Sequence, residues 1–203
     1  MRLRLTVASD CTDAPVHGVV RLICPPGWNA ESAELPFVLP PGDYLDTDAT
    51  VAIPAGQPPG LYPIRVELAL NGRGGLPPSW RQVVEDVCTV RVGDAEHAEI
   101  LRLVAGPSEV RVRAGQTARL GVTVGTDARA DLAAEAHLIS PWGTWEWLGP
   151  AATGADLPAG GTARIDFEVA PPPWVQPGTW WALIRVACAG KLVYSPAVPV
   201  VVT

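Results

Sequence analysis

Lysine is almost absent from this sequence. Lys191 stands alone, every other strong base is arginine, and acidic residues outnumber basic ones by 21 to 15. The resulting net charge of −6 leaves no basic face of the kind that nucleic acid or an anionic membrane surface requires. Long apolar runs are missing as well, and nothing approaches the roughly 20 residues that span a bilayer as a helix. Met1 to Val7 alternates Arg with Leu, which does not read as a signal peptide and favours a cytoplasmic location. The cysteines Cys11, Cys24, Cys88 and Cys188 form no Cys-x-x-Cys pair and have no histidine at zinc spacing, so neither a metal nor any other cofactor is expected.

Helical pattern is also scarce. The one Ala-rich stretch, Thr126 to His137, is short and lacks large apolar residues at three-to-four spacing. What replaces it is punctuation: 22 Pro and 20 Gly in 203 residues cut the chain into short segments. Those segments alternate with period two. Tyr62, Ile64, Val66, Leu68 and Leu70 face one way against Arg65 and Glu67, and Trp180, Ala182, Ile184, Val186 and Cys188 repeat the pattern against Arg185. A helix cannot produce that alternation. By the same rule Cys24, Cys88 and Cys188 fall on apolar faces and read as core thiols.

The chain contains one internal repeat. Leu22-Ile23-Cys24-Pro25-Pro26-Gly27 matches Leu138-Ile139-Ser140-Pro141-Trp142-Gly143. Leu39-Pro40-Pro41-Gly42 matches Leu157-Pro158-Ala159-Gly160, and Pro59-Gly60-Leu61-Tyr62 matches Pro177-Gly178-Thr179-Trp180. Short strands separated by turns, repeated once over about 100 residues, are the mark of a sandwich domain. The sequence thus predicts an all-β fold of two tandem immunoglobulin-like β-sandwich domains, at 1–94 and 106–203, joined by a connector at 95–105. The copies differ at their starts. The second opens with Glu109-Val110-Arg111-Val112-Arg113 before the strand Leu120-Val122-Val124, whereas the first begins directly at Leu3-Leu5-Val7. Its first strand therefore reads as missing, which implies that residues upstream of Met1 supply it, because an unprotected sheet edge invites unwanted pairing.

No reaction chemistry emerges from the motifs. His17, His97 and His137 are scattered, with no triad spacing, and no glycine-rich loop leads into a helix. Catalytic residues are expected to be none. Asp43, Asp46 and Asp48 cluster before a strand, and could present oxygens to a hard cation or simply solvate a turn; their order does not match a calcium loop. Tryptophan is the surplus: eight in all, six of them in the second half. Trp180 falls on an inward position and Trp181 outward, while Trp145 and Trp147 flank Glu146 and, on a strand, would share one side. Packing within the domain, docking against another protein region and stacking on sugar rings all remain open for these rings. The contact candidates are Trp142, Trp145, Trp147, Trp174 and Trp181, with Trp28 in the first half.

The turns Pro25-Pro26-Gly27-Trp28, Leu39-Pro40-Pro41-Gly42 and Pro58-Pro59-Gly60-Leu61-Tyr62, in that order, resemble those of the NEW-type immunoglobulin-like accessory domains of bacterial glycoside hydrolases. The second half departs at Pro141-Trp142-Gly143 and has Trp180 in place of the tyrosine. The stretch Leu138 to Glu146 is similar to the C-terminal region of actinobacterial family 38 alpha-mannosidases, and the preference for arginine, Ala, Gly, Pro and Val suits such a GC-rich source. These resemblances imply a non-catalytic accessory region packing on an upstream catalytic domain of the same polypeptide, with carbohydrate as a further partner. Zinc and the nucleophilic aspartate of family 38 would sit upstream and have no counterpart here. The alternative is a stand-alone tandem module that binds a protein or a glycan.

Overall fold

The computed structural model describes residues 1–70 and 83–203. Contacts divide the chain into two compact units, Met1–Ala95 and Glu96–Thr203. Each is a pair of antiparallel-based sheets enclosing apolar side chains, as the period-two pattern requires.

In the first unit, β1 (Arg2–Ala8), β3 (Asn29–Ala30) and β5 (Tyr44–Ala52) form one sheet in the order β1-β5-β3. The facing sheet runs β4 (Glu34–Leu39), β2 (Val16–Ile23), β6 (Gly60–Leu70), β7 (Val83–Val92). Register explains the burial. Val20 pairs Leu68 and Leu22 pairs Val66 across β2 and β6, which places their side chains on one face of the sheet and Arg21 and Glu67 together on the other. Gly18 has a local reason to be glycine: a Cβ there would lie 2.6 Å from the Phe37 ring and 2.7 Å from the Ala69 carbonyl oxygen. Phe37 fills the space the missing side chain leaves.

The second unit repeats this frame. β10 (Ala118–Gly125) pairs β13 (Thr162–Val169) as β1 pairs β5. The larger sheet runs β12 (Ala151–Leu157), β11 (Leu132–Ile139), β14 (Gly178–Cys188), β16 (Val198–Val202), with β15 (Lys191–Tyr194) also on β14. The matched turns close alike. Trp28 N donates to Pro25 O at 3.0 Å and Thr144 N to Pro141 O at 3.3 Å, around Gly27 and Gly143, whose φ angles are 82° and 87°. That left-handed backbone is why glycine occupies both positions.

The units differ at one edge. The second carries β8 (Arg102–Ala105) on the outer side of β10, and β9 (Val110–Val112), which joins β16 in parallel with Val110 opposite Val200 and Val112 opposite Val202. Gly106 and Pro107 lie between them and let the chain pass from one sheet to the other. Among the described residues the first unit has no strand on the outer edge of β1 or of β7. The stretch 95–105, expected as a connector, is partly built into the second unit: Leu101 is fully buried and Arg102–Ala105 forms β8, which pairs with β10. The alternating Leu101-x-Leu103 pattern, too short to stand out by itself, gains its strand character from pairing with β10.

Candidate contact surface

The exposed aromatic rings gather on the loop after β11. Ser140 and Thr144 are buried there; the Thr144 hydroxyl bonds the Pro141 carbonyl at 2.7 Å and lies 3.0 Å from Ser140 Oγ. These bonds shape a turn that leads into a four-residue helix, α1 (Trp145–Leu148), with Leu148 N donating to Thr144 O at 2.8 Å. Ala170 N in turn donates to Trp147 O at 3.1 Å and ties α1 to the segment after β13.

The helix separates two rings that a strand would have placed together. Residues two apart on a helix point in different directions. Trp147 is buried and meets Trp180 edge-to-face at 5.3 Å, whereas Trp145 is 47% exposed and meets Trp142 at 4.7 Å with an interplanar angle of 71°. Trp142 is 84% exposed, the most solvent-accessible large apolar side chain described. The edge-to-face pair leaves its ring open to solvent on a backbone that is held in place.

Two candidates are corrected by burial. Trp28 is enclosed in the core of the first unit and stacks on Tyr62 at 5.0 Å, so its ring offers no surface to a partner. The hydroxyl of Tyr62 donates to Pro58 O at 2.8 Å and holds that stack in position. Trp147 is likewise an internal ring. Trp174, in the turn before β14, and Trp181, on the outward side of β14, are exposed, and among the described residues no ring contact joins either to the Trp142–Trp145 pair.

Two of the three clustered carboxylates are committed to ion pairs. Asp46 and Asp48 project from β5 beside β1, where Arg4 Nη2 lies 2.6 Å from Asp46 and Arg2 pairs with Asp48. The Thr6 hydroxyl and then Arg4 hold the Asp46 carboxyl below its ordinary value. Asp43 accepts the Tyr44 amide at 2.8 Å. Among the described residues no group of three His, Cys, Asp or Glu side chains is arranged to hold a metal. His137 pairs with Glu135 on the outer side of β11, away from any nucleophile in the hydrogen bonds described. All four cysteines are free, and burial pushes the Cys188 thiol up to about 11.

Residues 1–71 match the family model of the NPCBM-associated, NEW3 domain of alpha-galactosidase. The match supports an accessory domain associated with glycoside hydrolases in the first unit and covers about a third of the chain. Among curated proteins, none matches. Two solved structures show distant likeness. One is the Pseudomonas fluorescens alkylpurine DNA glycosylase AlkC bound to DNA containing an abasic site analog, at 16% identity and TM-score 0.33, covering 54% of this chain and 32% of that one. The other is red sea bream transglutaminase, at 10% identity and TM-score 0.33, covering all of this chain and 29% of that one. The chain therefore spans about a third of the length of these structures.

Proposed function

We propose that this chain is a non-catalytic accessory region of a glycoside hydrolase, whose role is to pack on and position the catalytic part of the enzyme. The match of residues 1–71 to an accessory-domain model carries the reading. Immunoglobulin-like is the proposed class of both sandwiches. The Tyr62 hydroxyl bonded to a backbone carbonyl four residues upstream supports that class in the first. An alpha-mannosidase parent of actinobacterial origin is the narrower proposal, supported by the similarity of Leu138 to Glu146 to family 38 enzymes; the alpha-galactosidase in the matched model's description is its rival.

The site geometry favours contact over bond-breaking. Glycoside hydrolysis needs two carboxyl groups facing each other across a sugar, while Asp46 and Asp48 here face arginines on the adjacent strand. The isolated chain is expected to release no nitrophenol from a panel of nitrophenyl mannosides and galactosides. Saturable turnover that survives repurification would overturn the proposal.

A second reading, glycan binding in its own right, is favoured by the open face of Trp142 beside Trp145. Saturable quenching of tryptophan fluorescence by mannosides or oligosaccharides, abolished by Trp142→Ala, would put this reading first. No response is the outcome expected of a positioning domain.

A further inference from the structure

The first unit has a groove where the second has strands. A cavity of about 330 Å³ opens between β1 and β7, floored by Leu5, Val7, Val20, Val66, Leu68 and Cys88 and edged by Thr6 and Asp86. The registers show what occupies the same place in the other unit. Leu3 pairs Ala49 across β1 and β5 as Leu120 pairs Phe167 across β10 and β13, so Thr6, Val7 and Ala8 correspond to Thr123, Val124 and Gly125. Those second-unit residues are the ones β8 pairs with, through Ala105, Leu103 and Arg102. Farther along β7, past the residues Asp86 to Cys88 that line the cavity, Tyr62 pairs Val90 as Trp180 pairs Val200, so β7 at Val90 and Val92 corresponds to β16 at Val200 and Val202, where β9 lies in parallel.

Burial follows that difference. Val124 is 0% exposed under β8, and its counterpart Val7 is 9% exposed beside the cavity. Val122 is fully enclosed, and its counterpart Leu5 is only half-buried. Two strand edges that no described strand pairs, flanking an apolar floor, offer both the main-chain hydrogen bonds and the side-chain pockets of strand addition.

We propose that the first unit is a strand acceptor: the groove between β1 and β7 binds an extended polypeptide segment, from outside these 203 residues, that runs along β1 and then parallel to β7. Its chemistry is apolar residues at alternate positions with basic residues between them, as in Leu101-Arg102-Leu103 and Val110-Arg111-Val112-Arg113 of the second unit. The inward positions fill the floor. Arg4 lines the cavity as well, the net charge of −6 favours basic residues at the outward positions of the incoming segment, and Asp86 projects from the same side of β7 as Cys88, toward the cavity. An acidic side chain at that position also discourages pairing with purely apolar edges. The proposal is independent of which hydrolase the chain accompanies.

The test uses the whole 203-residue chain and a synthetic peptide of residues 100–113, fluorescently labelled at its N-terminus. Saturable binding by anisotropy is expected, with at least tenfold weaker binding of the same peptide carrying V110D and V112D. In hydrogen exchange the peptide should slow amides of Arg2–Ala8 and of the second half of β7, leave β10 and β16 unchanged, and slow alkylation of Cys88 but not of Cys11. No saturable binding, equal binding of the Asp-bearing peptide, or protection confined to other strands would overturn it. So would concentration-dependent self-association that protects the same two edges without peptide, since the occupant would then be a second copy.

Discussion

The two units use one frame and finish it differently. In the second, all buried apolar side chains join a single cluster that runs from Leu101 to Val202. In the first, those described fall, apart from Leu61 and Ala95, into two: one around Trp28, Tyr62 and Ile64, the other around Val20, Phe37 and Leu39. Leu5, Leu35 and Val66 touch both clusters and are themselves only half-buried. Strands β8 and β9 account for the contrast, since they cover the region above Val122 and Val124 that stays open above Leu5 and Val7. A sandwich core thus depends on its edge strands as much as on its central ones.

The contrast can be tested in order of expected size. Trp28→Ala removes the ring that organises one of the two first-unit clusters and is expected to cost about 3–5 kcal/mol, whereas Trp142→Ala should change stability by less than about 0.5 kcal/mol. Urea unfolding followed by circular dichroism separates these, and equal losses would show that burial does not distinguish the rings. Next come Leu120→Ala and Leu3→Ala, equivalent positions on β10 and β1. The first should cost about 4 kcal/mol and the second about 2 kcal/mol, because a site beside an open edge collapses more easily around the deletion. A reversed order in calorimetry would mean that the first unit is the better packed.

Smaller effects lie at the entry to the second unit. Asp127 accepts hydrogen bonds from the Glu99 amide at 2.9 Å and from Arg102 Nη1 at 2.6 Å, and the Glu99 amide first, then Arg102, hold its carboxyl below the ordinary value against the opposing effect of burial. A lowered folded pKa gives stability that is fully present above the unfolded carboxylate range near pH 4 and is lost as pH falls through the folded value. Asp127→Asn should therefore cost about 1 kcal/mol at pH 6, a figure discounted for the partial exposure of the pair, and nothing near pH 2. A difference from wild type that persists at pH 2 would show that the loss is steric. The smallest effect is kinetic. With its thiol raised to about 11 by burial, Cys188 on β14 should be alkylated more slowly than Cys88 on β7 at pH 8.5 in the folded chain; mass spectrometry of the tryptic peptides gives the order.

The strand pattern was readable because a half-buried strand must alternate, and Ala182, Ile184, Val186 and Cys188 are the buried residues of β14 as the alternation requires, whereas β6 is buried on both sides from Leu61 to Ile64 and half-buried throughout from Arg65 to Leu70. The turn glycines Gly27 and Gly143 were readable because their positive φ admits little else. The tryptophans were not. Trp145 and Trp147 share a side on a strand and separate on the single helical turn fixed by Ser140 and Thr144, and four residues are too few for a helical period to register. Trp28 in a Pro-Pro-Gly-Trp turn carries no local sign that Tyr62, a distant partner in sequence, will cover its face.

Sequence alone determined the β character, the doubled architecture and the turns that punctuate it, because each follows from local periodicity and backbone sterics over a few residues. Tertiary structure alone decided which rings meet solvent, where Leu101 and β8 belong, and that one sandwich carries a groove where the other carries strands. Those outcomes depend on which surfaces meet across long separations in the chain, and no local pattern of residues encodes them.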